Sequence, residues 1–122
     1  MIWVLSSLLF LAGVPQTPAP QHVFEQISRQ ADGARTADRL LDAIRLYREG
    51  VKLRPSWSQG WWGLGSIYYE QDRFPEAREA FTRFIATSKK EVAPAYAFLG
   101  LCEYETRDYE HASEHFGIWV RK

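Results

Sequence analysis

The chain has 122 residues, room for one domain, and its 15 basic and 15 acidic side chains leave no net field to draw nucleic acid or an anionic membrane. An apolar content of 46% with 15% aromatics supplies a packed core and argues against disorder. The single cysteine, Cys102, excludes an intramolecular disulfide and any multi-cysteine metal site, so the fold rests on packing.

Met1–Val14 is uncharged and apolar, and too short to span a bilayer comfortably as a helix. Pro15, Pro18 and Pro20 follow in a stretch expected to be extended, because proline cannot continue a helix. The run suits a secretory signal, although no Lys or Arg precedes it. Export, periplasmic or secreted, is the leading expectation, with cleavage between Gly13 and Ala19. An uncleaved membrane anchor, a cytosolic tail and a misplaced start codon are the alternatives. Leu11-Ala12-Gly13 is similar to the residues preceding the acylated cysteine of bacterial lipoproteins, but Val14 stands where that cysteine belongs. A lipid anchor of that type is therefore excluded. Residues 1–20 are read as leader and linker, and residues 21–122 as the folded domain.

Beyond the leader the chain repeats itself. The first copy keeps Ile27, Ala31, Ala43, Tyr47, Gly50 and Pro55, with a degenerate opening helix, and predicts helices over Val23–Ala37 and Leu41–Arg54. In the second, Trp61, Leu64, Gly65 and Tyr68 recur at helical spacing, and Ser56-x-x-Gln59 is a capping-box pattern ahead of them. Gln71-Asp72-Arg73 interrupts that stripe, Pro75 sits where a first turn tolerates it, and Ala77, Ala80, Phe81, Phe84 and Ile85 form the next. The predicted pair is Ser58–Gln71 with Pro75–Thr87. The third copy carries Tyr96, Leu99, Gly100, Ala112 and Phe116, predicting Ala93–Thr106 with Tyr109–Arg121. Leu64 to Leu99 and Ala77 to Ala112 are steps of 35 residues, and Ala43 to Ala77 is a step of 34. Amphipathic helices joined by such short turns lie antiparallel, and a period of this length marks a unit stacked on copies of itself. Gly65 and Ala77 are small where the paired backbones approach; Phe81 and Tyr68 are large where space must be filled.

The pattern Trp61-x-x-Leu64-Gly65-x-x-Tyr68 followed by Ala77-x-x-x-Phe81 resembles the tetratricopeptide repeat, over roughly residues 24–122 and with repeats at about 24–57, 58–92 and 93–122. Several positions depart from the family pattern: Phe84 and Trp119 stand for alanine, Lys89 for the closing proline, and Glu103 for tyrosine. The extra residue between copies is expected in the loop Ser88–Val92. Where the family often places a left-handed glycine, this chain has Asp38, Asp72 and Arg107, and arginine tolerates positive φ less well than aspartate, so the third hairpin is expected to be slightly strained or looser. The resemblance implies an all-α superhelix of about three helix-turn-helix hairpins. It also implies a non-catalytic adaptor for a protein or peptide partner, with no cofactor, metal, nucleic acid or small-molecule substrate.

By position in the family, the concave groove would be lined by Ser28, Asp32 and Arg35, then Gln59, Trp62, Ser66, Tyr69 and Glu70, then Ala97, Leu101, Tyr104 and Glu105. Trp62, Tyr69, Leu101 and Tyr104 are apolar enough to serve a peptide-binding surface. The competing reading is that Trp62 and Tyr69 pack on neighbouring hairpins. The family's clamp for a terminal carboxylate is not expected, because Ser28, Asp32, Gly63, Pro94 and Phe98 hold the matching places.

Phe116, Ile118, Trp119 and Val120 form a second candidate, an apolar edge for self-association or a structural, envelope-associated role. Its rivals are inward folding of Phe116 and Trp119 onto Leu99 and Tyr96, and a truncated array. His111 and His115, four apart with Glu114 adjacent, supply half a metal site with no third ligand in view and are expected to face solvent. Cys102 falls at a small buried position, where a thiol acts as a compact hydrophobe. No phosphate loop, nucleophile elbow or paired carboxylates mark an enzyme.

Overall fold

The structure, a computed structural model, describes residues 19–122. The expected apolar leader, and nearly all of the proline-rich stretch and cleavage region, lie outside the described residues. Among the described residues the fold is six helices and no strand: α1 Pro20–Thr36, α2 Leu40–Leu53, α3 Ser58–Glu70, α4 Phe74–Thr87, α5 Ala93–Glu105 and α6 Tyr109–Arg121. Pro20 opens α1 instead of belonging to an extended linker, since the first turn needs no backbone N–H from it. No helix among the described residues is long and apolar enough to cross a membrane.

Each pair closes through the same turn. Asp38, Asp72 and Arg107 take φ of 59°, 57° and 65°, the left-handed conformation that the resemblance implied for these positions. Their N–H groups donate to Arg35, Tyr69 and Tyr104 at 3.0 Å, and the next residues, Arg39, Arg73 and Asp108, donate to Ala34, Tyr68 and Glu103 at 2.8 Å. This is the Schellman closure, which satisfies carbonyls a helix end leaves without partners. Arg107 makes the same bonds at the same lengths as the two aspartates, so the expected looseness of the third hairpin is not seen in its turn. The connection Arg54–Trp57 between hairpins has four residues and Ser88–Val92 has five, which puts the extra residue of the 35-step where it was expected.

Within a hairpin, a glycine receives an aromatic ring from the partner helix. A Cβ built on Gly65 would lie 2.8 Å from Phe81 Cε1, and one on Gly100 would lie 2.7 Å from Phe116 Cε1. Small-against-large packing at those crossings lets the backbones close, and Ala77, Phe81 and Ala112 are buried there.

Between hairpins the two junctions are built differently. At the first, the Tyr47 ring covers Gly63, and Trp57 wedges between Gly50 and Gly60 with its edge on Phe24 at 5.1 Å. At the second, Phe98 replaces the glycine and stacks on Phe81 at 5.3 Å and 12°. The capping-box expectation fails here: α3 begins after Trp57, and no side chain caps it. The tryptophan ring, not the Ser56 hydroxyl, secures that helix start, assisted by Trp61 Nε1 donating to the Pro55 carbonyl at 2.8 Å.

Candidate functional site

A cleft of about 900 Å³ runs along the α1 and α3 side. Asp32 and Arg35 reach it from α1, Tyr47 from α2, Gln59 and Trp62 from α3, Phe84 and Thr87 from α4, and Lys89, Lys90, Glu91 and Pro94 from the loop and start of α5. Ser56, Ser58 and Ser88 complete its wall. Four of the twelve residues expected in the groove therefore converge: Asp32, Arg35, Gln59 and Trp62. Ser28, Ser66, Tyr69, Glu70, Ala97, Leu101, Tyr104 and Glu105 do not line it. Leu101 and Tyr104 are exposed, with Tyr104 set against Tyr109 at 5.4 Å.

Trp62 serves both of the readings its position allowed, and Tyr69 only the packing one. Trp62 packs its rings on Phe84 at 5.1 Å, Phe81 at 5.5 Å and Phe98 at 5.9 Å while one side meets the cleft. Tyr69 lies against Phe98 at 5.2 Å and Phe74 at 5.8 Å, half-buried in the junction.

On the cleft wall the Tyr47 hydroxyl donates to Asp32 Oδ1 at 2.7 Å. Burial, and then the bond to that carboxylate, push the phenol up to about 12, so it stays a donor at any physiological pH. Asp32 is thus tied to the wall.

A second polar cluster joins the last two hairpins and was not read from the sequence. Glu103, expected only as a departure from tyrosine, is 1% exposed and accepts Arg78 at 3.0 Å and His115 Nδ1 at 2.5 Å. Arg78 also bonds Asp108 at 2.9 Å, and His111 Nδ1 donates to Asp108 at 2.8 Å. That bond raises His111 above its ordinary value and holds Asp108 below its own. Two expectations need correcting. His115 does not face solvent; it is half-buried against Glu103 and Tyr96. Nor do the histidines lack further ligands, since atoms of Glu103, Asp108 and His111 lie within 4.8 Å of one another, while Glu114 takes no part. Arg78 bridges both carboxylates and the two histidines partner them as well, so no buried side-chain polar atom among the described residues is left without a hydrogen bond. The signal that could have found it was a carboxylate inside an apolar stripe, because a buried charge requires partners.

Cys102 is buried, and its thiol is pushed up to about 12 by burial and then by Glu103, which removes the thiolate a nucleophile needs. At the far edge, Phe116 turns inward over Gly100 and Ile118 is half-buried, but Trp119 stays 46% and Val120 74% exposed.

A family profile described as Tetratricopeptide repeat matches residues 28–91 and again 68–116, most of the described helices. The chain belongs to the tetratricopeptide repeat family. Among solved structures, the Arabidopsis OM64 TPR domain superposes with a TM-score of 0.70, covering 84% of each chain at 20% identity, which is a likeness of fold. No curated protein matches. Tetratricopeptide repeats are generally protein–protein interaction modules and typically non-catalytic scaffolds.

Proposed function

We propose that this chain is a non-catalytic adaptor whose α1–α3 cleft receives an extended or helical segment of another protein. The observation that carries the reading is a pre-formed recess combining the Trp62 and Phe84 rings with the Asp32, Arg35 and Gln59 side chains. Rigid aromatics beside a few polar groups are what peptide recognition requires, and preorganisation limits the ordering cost on binding. Export is part of the proposal, supported by the uncharged apolar run Met1–Val14. The test is co-purification from the native cell with variants as controls: Trp62→Ala with Gln59→Ala should release the partner and Trp119→Glu should not.

A second reading, self-association through the last helix, is favoured by the exposure of Trp119 and Val120. Light scattering decides it: an assembly that Trp119→Glu dissolves would establish this role, and a monomer at all concentrations would end it.

A further inference from the structure

We propose that the cleft takes an acidic segment from within a partner chain, an extended stretch carrying two or more Asp or Glu side chains beside one bulky apolar residue. This rests on the cleft being the binding surface and adds the chemistry of the occupant.

The inference comes from which charges in the cleft are already used. Its two acids are tied down internally: Asp32 accepts the Tyr47 hydroxyl at 2.7 Å, and Glu91 Oε1 accepts the Ala93 N–H at 2.8 Å. Its three cations, Arg35, Lys89 and Lys90, make no ion pair among the described residues. The cleft therefore carries one more positive than negative group, and its cations are left without an internal partner of opposite charge among the described residues. Both lysines stand in the five-residue connection Ser88–Val92, the loop lengthened by the additional residue of the 35-step, and neither is buried. Behind them the Trp62 and Phe84 rings, 5.1 Å apart, supply the apolar wall. The places from which the family clamps a terminal carboxylate hold Ser28, Asp32, Gly63, Pro94 and Phe98, which lack the necessary cations. Recognition therefore falls to acidic side chains, with no need for a free chain end.

The test is selection of random nonapeptides, displayed with their carboxyl ends fused, on the full immobilised chain. Wild type should enrich Asp and Glu together with an aromatic or aliphatic residue. Binding of a selected peptide, resynthesised with acetylated and amidated ends, should weaken about tenfold for Lys89→Glu with Lys90→Glu and fall with rising salt. Gln59→Trp, a change at an exposed position that fills the recess without touching the core, should abolish it. Selected peptides that are basic or neutral, yet still blocked by Gln59→Trp, would overturn the acidic inference and leave the cleft as the site. Peptides that bind Gln59→Trp as well as wild type, or no enrichment at all, would overturn the cleft itself. A gain of about tenfold on restoring the free carboxylate would show that the chain end is the ligand, against the proposal. So would a single-stranded oligonucleotide that outcompetes the peptides.

Discussion

Glu103 of α5 and Arg78 of α4 meet at 3.0 Å across the junction between the second and third hairpins, with Glu103 almost sealed from solvent. The carboxylate also accepts His115, and Arg78 also holds Asp108, so four side chains from two repeats are joined in one hydrogen-bonded set. Removing one member of such a buried set strands the others. Glu103→Ala should lower unfolding free energy by about 2–3 kcal/mol, below the full range for a buried pair because Arg78 is part-exposed. Urea unfolding measures it; a change under about 0.5 kcal/mol would mean the cluster is incidental.

The exposed histidine beside that cluster, His111, sets a pH dependence. His111 is raised by its bond to Asp108, so its contribution is whole below about pH 6.5 and is lost as pH rises through the folded-state value. Asp108 is lowered by the same bond, so its contribution is present above about pH 4 and is lost as pH falls through its folded value. Wild type should therefore exceed His111→Ala in thermal midpoint by most between those limits. A difference that grows from neutral to alkaline pH would contradict the pairing.

Gly65 faces the Phe81 ring with no room for a methyl group, since its Cβ would stand 2.8 Å from a fully buried ring atom. Gly65→Ala should cost about 1–3 kcal/mol despite alanine's better helix propensity, because overpacking outweighs the backbone term. Gly33 is the internal control: nothing lies within 4 Å of its Cβ, and Gly33→Ala should stabilise by up to about 1 kcal/mol. Equal effects at both sites would dismiss the crossing geometry.

Trp57 wedges between Gly50 and Gly60 and touches Phe24, so it fastens the first hairpin to the second. Trp57→Ala should cost about 3 kcal/mol. It should also raise hydrogen exchange in α1 and α2 more than in α5 and α6. Uniform loss of protection across all helices would show that the junction is not separable.

Burial holds the Cys102 thiol at about 12. Iodoacetamide at about pH 8 should leave the native chain unmodified and alkylate it only on unfolding. Labelling within minutes under native conditions would place the thiol outside the core.

The hairpins were legible because each is local: a stripe, a three-residue interruption and a second stripe define two antiparallel helices, and the family resemblance implied left-handed turns at Asp38, Asp72 and Arg107. The cleft was legible only in part. Asp32, Arg35, Gln59 and Trp62 were found by repeat position, but Lys89 and Lys90 were read merely as a longer loop. Helix phase says which face a residue occupies, not how far a connecting loop folds over it.

By itself the sequence determined the repeat length, the pairing of helices within each hairpin, and that Gly65 and Ala77 are the small residues of the central crossing. Only the tertiary structure decided that Trp57 replaces the Ser56 cap, that Phe98 stacks on Phe81 where Gly63 sits under Tyr47, and that Glu103 finds Arg78. The division has one cause. Contacts inside a hairpin follow from the 3.6-residue period and a short turn. Contacts between hairpins depend on the angle at which one unit is laid on the next, and that angle is set by all the side chains at the junction acting together.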